Sequence, residues 1–308
     1  MKAVQFSEYG GPELLRVVDV DEPHASTGQV RIAVRAAGVN PSDWMKLRAG
    51  RWRYRPIPLP SGIGVEGAGV VDEVGDGVTG VSIGDAVFGY GFNTVAEYAV
   101  LRAWSHKPDE LPFEEAGGFP VVVETATRIL VQVGVKSGET LLVNGAAGGI
   151  GSAVVQLARF RGITVIGTAS APKHDYLRGL GAIPTTYGPG LVDRVRKLAP
   201  TGVDAALDVA GSGVIPELIE LVGHPSRVLS IADFTAPQYG AQGSFEAQKN
   251  PERVLAEAAR LYMNGAFRVT LGKTFPLAQA ADAYRLSAAG HVTGKLVIAI
   301  SQPSSKGS

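Results

Sequence analysis

Cysteine is absent from the 308 residues. That absence removes disulfides, thiolate nucleophiles and every cysteine-ligated zinc site from consideration. An excess of either charge is missing too, with 29 lysines and arginines against 29 aspartates and glutamates. Broad nucleic-acid or membrane-surface binding rests on a basic surplus, so neither is expected. No apolar run approaches the ~18 residues of a membrane span, and the opening MKAVQFSEYGG has no basic-then-apolar leader. A soluble, cytoplasmic protein is the expectation. No internal repeat is visible.

What is present is glycine, 40 of them, and an alternation of short strands with helices in the second half of the chain. The stretch 140–161, TLLVNGAAGGIGSAVVQLARFR, organises that half. The apolar run Leu141–Val143 breaks into a glycine turn, then Val154, Val155, Leu157 and Ala158 recur on one helical face. Strand, glycine loop and helix form the opening unit of a dinucleotide-binding sheet, whose helix N-terminus meets a pyrophosphate with free N–H groups. The spacing Gly145, Gly148, Gly151 is GxxGxxG rather than GxGxxG, so the context carries the reading more than the pattern does. Strands near 163–168, 183–186, 203–208 and 227–231 alternate with helices from Pro172 to about Leu180, near 190–198 and near 213–222. That alternation predicts a parallel, doubly wound sheet. A further helix is expected over 251–264, and the tail 267–300 reads as strand, helix (277–288), strand.

The front reads as β-rich, with runs at Val17–Val20, Val30–Val34, Val70–Val74 and Val95–Val100 between turn signals. The close valine–glycine alternation of 64–89 suggests strands bending around a small barrel. Residues 113–133 turn helical.

In a dinucleotide fold, an acid at the end of the second strand holds the adenosine ribose of NAD. Here ITVIGT is followed by Ala169, Ser170, Ala171, Pro172 and Lys173, with no carboxylate at the strand end. A hydroxyl and a lysine suit a 2′-phosphate, so NADPH is expected over NADH. Capping of the next helix is the other reading of Ser170, and a solvated helix face that of Lys173.

With these parts in place, the chain resembles the medium-chain dehydrogenase/reductase superfamily, and within it the zinc-free quinone oxidoreductase and enoyl reductase group. The marks are AAGVNPSDW (36–44), LPSGIGVEGAGVVDEVG (59–75), GDAVFG (84–89), AEYAV (96–100), VNGAAGGIG (143–151), LDVAG (207–211) and TGKLVI (293–298). The resemblance implies an α/β chain with a GroES-like β-barrel catalytic domain (1–121 and 265–308) and a Rossmann NADPH-binding domain (122–264). It also implies a homodimer, with 241–247 as a possible edge strand. Asn40 stands where the zinc branch has its first cysteine, and Val65 where it has a histidine before Glu66. Without a metal to polarise an alcohol, the expected chemistry is hydride transfer to a quinone or to an alkene conjugated to a carbonyl. Glu66 is then expected to play a structural or cofactor-loop part.

Carried over by resemblance, Asn40 and Pro41 lie in the nicotinamide-facing loop, and Thr125 lies close to the nicotinamide. Ala147, Gly148, Gly149 and Ile150 form the pyrophosphate clamp. Thr168, Ser170, Lys173 and Tyr187 line the 2′-phosphate pocket. Ala210, Gly211 and Ile231 follow strands and face the cofactor, and Lys295 reaches toward it. Asn40 could instead cap a turn, Thr125 bond its own helix, Tyr187 pack on the sheet edge, and Lys295 be a solvated strand-end residue. On the substrate side, Asp43, Trp44, Trp52 and Tyr54 are the candidates. The aromatics would form a wall for a flat ring, and Tyr54 or solvent would donate the proton. A solvated basic loop is the other reading of 48–60. A low-turnover NADPH-binding structural or sensor protein is the alternative function, and a zinc alcohol dehydrogenase a weaker third.

Overall fold

The structure is a computed structural model that describes residues 1–52, 55–245 and 250–301. It separates into two compact units, 1–121 with 250–263 and 269–308, and 122–249 with 264–268. The expected division put 251–264 with the dinucleotide sheet, whereas the helix Pro251–Met263 belongs to the first unit. Its Tyr262 hydroxyl donates to the Glu110 carbonyl at 2.9 Å, and its ring meets Phe119 edge-on.

In the first unit, strands Leu271–Pro276, Lys295–Ala299, Val30–Val39, Glu66–Val74, Ala86–Gly91 and Tyr98–His106 pair in that order. Val30–Ala33 also pairs with Tyr98–Leu101, which closes the last four strands into a barrel. Alternate residues face inward: Val30, Ile32 and Val34 are fully buried against Val71, Val87 and Leu101. The valine–glycine alternation has a steric cause. A side chain at Gly69 or Gly89 would lie 2.3 Å or 2.1 Å from a carbonyl of the facing strand. The strand expected at Val95–Val100 instead starts at Tyr98, because Val95 N–H is taken by the Ile63 carbonyl and Ala96 bridges Ala3.

One helix escaped the sequence reading, Pro41–Ala49. Its signals were there: a proline at the first helical position, an acid two residues later, and Gly50 in the left-handed region (φ 65°) closing the end.

The second unit holds a six-stranded parallel sheet in the order Ile183–Thr185, Thr164–Thr168, Thr140–Asn144, Ala205–Asp208, Val228–Ser230, Gln242–Gly243. Helices Leu191–Leu198 and Ile215–Val222 bury Leu191, Val195, Ile215 and Leu218 against Leu142, Ile166, Ala206 and Val228. Helix Gly149–Phe160 packs on the two strands around the glycine turn. The expected alternation is therefore present, with ends moved by one or two residues. The edge strand expected within 241–247 is the pair Gln242–Gly243, and 246–249 lie outside the described residues.

Candidate active site

In the first unit, three chain-distant residues gather where barrel strands meet the helix Pro41–Ala49. Glu66 is completely buried at the start of its strand. Its Oε1 accepts from Asn40 Nδ2 at 2.8 Å and from the Lys295 ammonium at 2.7 Å, while its Oε2 accepts from Val121 N–H at 2.7 Å. Lys295 also donates to Asn40 Oδ1. Both ends of the Asn40 amide are thus engaged, and its orientation is fixed by a donor on one side and an acceptor on the other. Glycines make the room: a Cβ at Gly38 would sit 2.2 Å from Glu66 Oε1, and one at Gly118 would sit 2.8 Å from Lys295 Cγ. Lys295 is accordingly no solvated strand-end residue; only 4% of it is exposed.

Asp43 continues the cluster. Its carboxylate accepts from the Asn40 backbone N–H at 3.1 Å and from the Tyr284 hydroxyl at 3.3 Å. Burial pushes the Asp43 carboxyl up to about 6, against the opposing pull of Lys46 and Lys295. Burial, with the neighbouring Asp43, lifts Tyr284 well above the usual phenol range. Asp43 was expected on the substrate side. In the structure its carboxyl is enclosed and bonded to the helix start. Trp44, expected in an aromatic wall, is half-buried against the barrel core and donates from Nε1 to Ser287 Oγ at 3.2 Å, with Arg48 over its ring. Pro41 is exposed. The two-residue strand Arg51–Trp52 pairs with Arg55–Pro56; the Trp52 side chain and Tyr54, a candidate proton donor, lie outside the described residues.

The second unit presents the C-terminal edge of its parallel sheet. The turn after Asn144 carries Gly145 at φ 87°, and a Cβ on Gly151 would be 2.2 Å from the Gly145 carbonyl, so turn and helix approach as only glycine permits. The helix Gly149–Phe160 begins with no side-chain cap at Gly148. Ala147 is buried, while Gly148, Gly149 and Ile150 are partly open. An uncapped helix start with first-turn N–H groups suits an anionic pyrophosphate.

Five strands of the sheet end in a buried polar residue: Thr185, Asn144, Thr168, Asp208 and Ser230. The side chains of the last four form one network. Asn144 donates to Asp208 at 2.9 Å, Thr168 to Asn144 at 2.7 Å, and Ser230 to Asp208 at 2.8 Å. Asp208 accepts the N–H groups of Ala210 and Gly211, and Thr168 Oγ1 accepts that of Gly145. Thr168, expected beside a 2′-phosphate, is fully buried, and its hydroxyl holds the glycine turn. Asn144, Asp208 and Ser230 were missed, although each closes an otherwise apolar strand in the sequence.

Ser170 is half-buried and leads into the turn Ala171–Lys173 with no side-chain cap bond, so its hydroxyl is not spent on capping. Burial lowers the Lys173 ammonium. Tyr187 is about half exposed at 48%. Ala210 and Gly211 are exposed, and Ile231 is half-buried. Thr125 is buried, its hydroxyl 3.2 Å from the Glu124 carboxylate.

Residues 26–133 match the alcohol dehydrogenase GroES-like domain family, and residues 186–298 the zinc-binding dehydrogenase family. A quinone oxidoreductase from Pseudomonas aeruginosa is 31% identical over 326 residues, covering 96% of this chain and 99% of that protein. The chloroplastic NADPH-dependent alkenal/one oxidoreductase of Arabidopsis thaliana is 30% identical, covering 97% of this chain and 79% of that protein. A 35% match to the Streptomyces venezuelae pikromycin polyketide synthase component PikAII spans 88% of this chain but 8% of that much longer protein. The solved structure of mycobacterial Rv1454c complexed with NADPH superimposes with a TM-score of 0.86 at 28% identity, covering 97% of this chain and all (100%) of that one. The chain belongs to the quinone oxidoreductase group of the medium-chain dehydrogenase/reductase superfamily.

The zinc that the second family's description implies does not fit the residues present. Among the described residues, no three His, Cys, Asp or Glu side chains are grouped as a metal would need. Glu66 already holds an ammonium at 2.7 Å, with Val65 beside it and Asn40 opposite.

Proposed function

We propose that the protein is an NADPH-dependent, zinc-independent reductase of quinones or α,β-unsaturated carbonyls. The observation that carries this reading is the C-terminal edge of the parallel sheet. There an uncapped helix start follows the glycine turn, and the neighbouring strand ends at Thr168 without a carboxylate before Ser170 and Lys173. NADPH, when bound, supplies a hydride equivalent; with one proton from solvent this converts a quinone to a hydroquinone or an enone to a saturated ketone. The second unit is the cofactor domain in this reading. Gly148, Gly149 and Ile150 hold the pyrophosphate, and Ser170, Lys173 and Tyr187 the 2′-phosphate. The first unit, with Asn40 held by Glu66 and Lys295, is the catalytic domain. The activities named for the Pseudomonas and Arabidopsis relatives support the two acceptor classes, and the NADPH complex of Rv1454c supports the cofactor. The edge strand Gln242–Gly243 is where a homodimer would extend the sheet.

The test is oxidation of NADPH and of NADH with a naphthoquinone and with a 2-enone, with and without chelator. Turnover with NADPH that exceeds NADH at least tenfold in kcat/KM, unchanged by chelator, is the expected result. Equal use of both cofactors, loss of activity on chelation, or no oxidation with either acceptor class would each overturn the corresponding part.

A further inference from the structure

The loop after the strand Ile183–Thr185 is organised around a residue that no sequence pattern singled out, Arg194. From the end of the first turn of the following helix, its Nη1 donates to the Pro189 carbonyl at 2.7 Å. Its Nη2 meets the carbonyls of Thr186 at 3.0 Å, Tyr187 at 3.3 Å and Gly188 at 3.0 Å. One guanidinium thus gathers four consecutive carbonyl oxygens. The backbone curls around it through Gly188 and Gly190, at φ 82° and 77°, and a Cβ on Gly190 would lie 3.1 Å from Nη1. The Arg194 Nε is buried without a hydrogen-bond partner, so the side chain gives up one donor to keep this position.

Sheet register places this loop. Thr168 pairs with Thr185 in adjacent parallel strands, and Ala169 N–H donates to the Thr185 carbonyl at 3.0 Å. The segment bearing Ser170 and Lys173 and the segment bearing Tyr187 therefore leave the sheet side by side. Four converging carbonyl oxygens form a negative concavity, which by itself repels an anion at that edge. A guanidinium at their focus reverses the sign and fixes the loop from which the half-exposed Tyr187 ring projects.

We propose that Arg194 is a positioning and specificity-determining residue for the 2′-phosphate of the dinucleotide. It makes the Thr186–Pro189 loop compatible with a dianion beside Ser170 and Lys173. The proposal rests on the NADPH reading above and adds a residue that does not itself touch the cofactor. Lysine in its place keeps the charge but cannot offer two parallel nitrogens to four carbonyls.

The experiment measures dissociation constants of NADPH and NADH by nicotinamide fluorescence for the wild-type protein, Arg194→Lys and Arg194→Gln, with hydrogen exchange of residues 186–190 in each. The expected result is a tenfold or greater weakening for NADPH in both variants, less than threefold for NADH, and faster exchange confined to the loop. A wild-type protein that binds both dinucleotides equally overturns the cofactor preference itself. A wild-type protein that prefers NADPH, with Arg194→Lys retaining that preference, overturns the role of Arg194 alone. Equal weakening for both dinucleotides reduces Arg194 to a general structural residue and likewise refutes the proposal.

Discussion

Asp43 offers a quantitative test of the buried cluster. Its carboxyl is enclosed by Tyr284, Lys46, Lys295 and Glu66, and its usual value of 3.8 is raised to about 6, chiefly by loss of hydration. A carboxyl whose native value lies above its unfolded value binds more protons in the folded state across that interval. Stability must then fall as pH rises from about 4 to about 6 and level off above. With ~1.4 kcal/mol per unit, the cost of ionising Asp43 in place is about 3 kcal/mol at neutral pH. Asp43→Asn keeps an oxygen that can accept the Asn40 backbone N–H and a shape near that of the acid, but it cannot ionise. Urea unfolding of both proteins at a series of pH values isolates the effect, because other titrating groups cancel in the difference. The variant should match the wild-type protein near pH 4, gain on it by ~3 kcal/mol by pH 7, and hold that advantage at pH 8. A difference that stays flat between pH 4 and 7, or runs the other way, would refute the account of Asp43 as a buried acid whose ionisation is opposed by its surroundings.

Two further outcomes follow from the same geometry. Lys295→Met leaves the Glu66 carboxylate buried without its ammonium and should destabilise by roughly 3–5 kcal/mol in chemical denaturation. The double variant Glu66→Gln/Lys295→Met should recover most of that loss, and failure to recover would mean the pair is not coupled. Gly151→Ala places a methyl 2.2 Å from the Gly145 carbonyl. It should cost about 1–3 kcal/mol of stability and weaken NADPH in titration, whereas Gly179→Ala, with nothing within 4 Å of its added carbon, should leave NADPH binding unchanged.

The parallel sheet was legible because its signals are local. Each strand and each helix carries its own periodicity, and the glycine turn sits where 141–151 says it should. The signals of the helix Pro41–Ala49 are equally local, but the resemblance implies a nicotinamide-facing loop at Asn40 and Pro41, which masks the helix start there. A small barrel is expected from the valine–glycine alternation of 64–89, but which strands close it is not legible, since that depends on Val30–Ala33 meeting Tyr98–Leu101 across the chain. The partners of Lys295 could not be read either. They lie more than two hundred positions away in sequence, and a strand-end lysine looks the same whether it meets water or a buried glutamate. Arg194 resembles any other basic residue on an amphipathic helix until its four carbonyls are seen.

The strand-end network of Asn144, Thr168, Asp208 and Ser230 also bears on how the sheet finds its alignment. Apolar strands of parallel sheets slide past one another with little to distinguish one offset from the next. Moving any one of these four strands by a residue would strand an amide, a carboxylate or a hydroxyl in the interior, away from its partners. The polar ends thus act as a latch on register, and an Asp208 left by itself would be the most costly mismatch. Substitutions at these four positions should then be tolerated in combination more readily than singly, with the second strand inheriting the constraint set by the first.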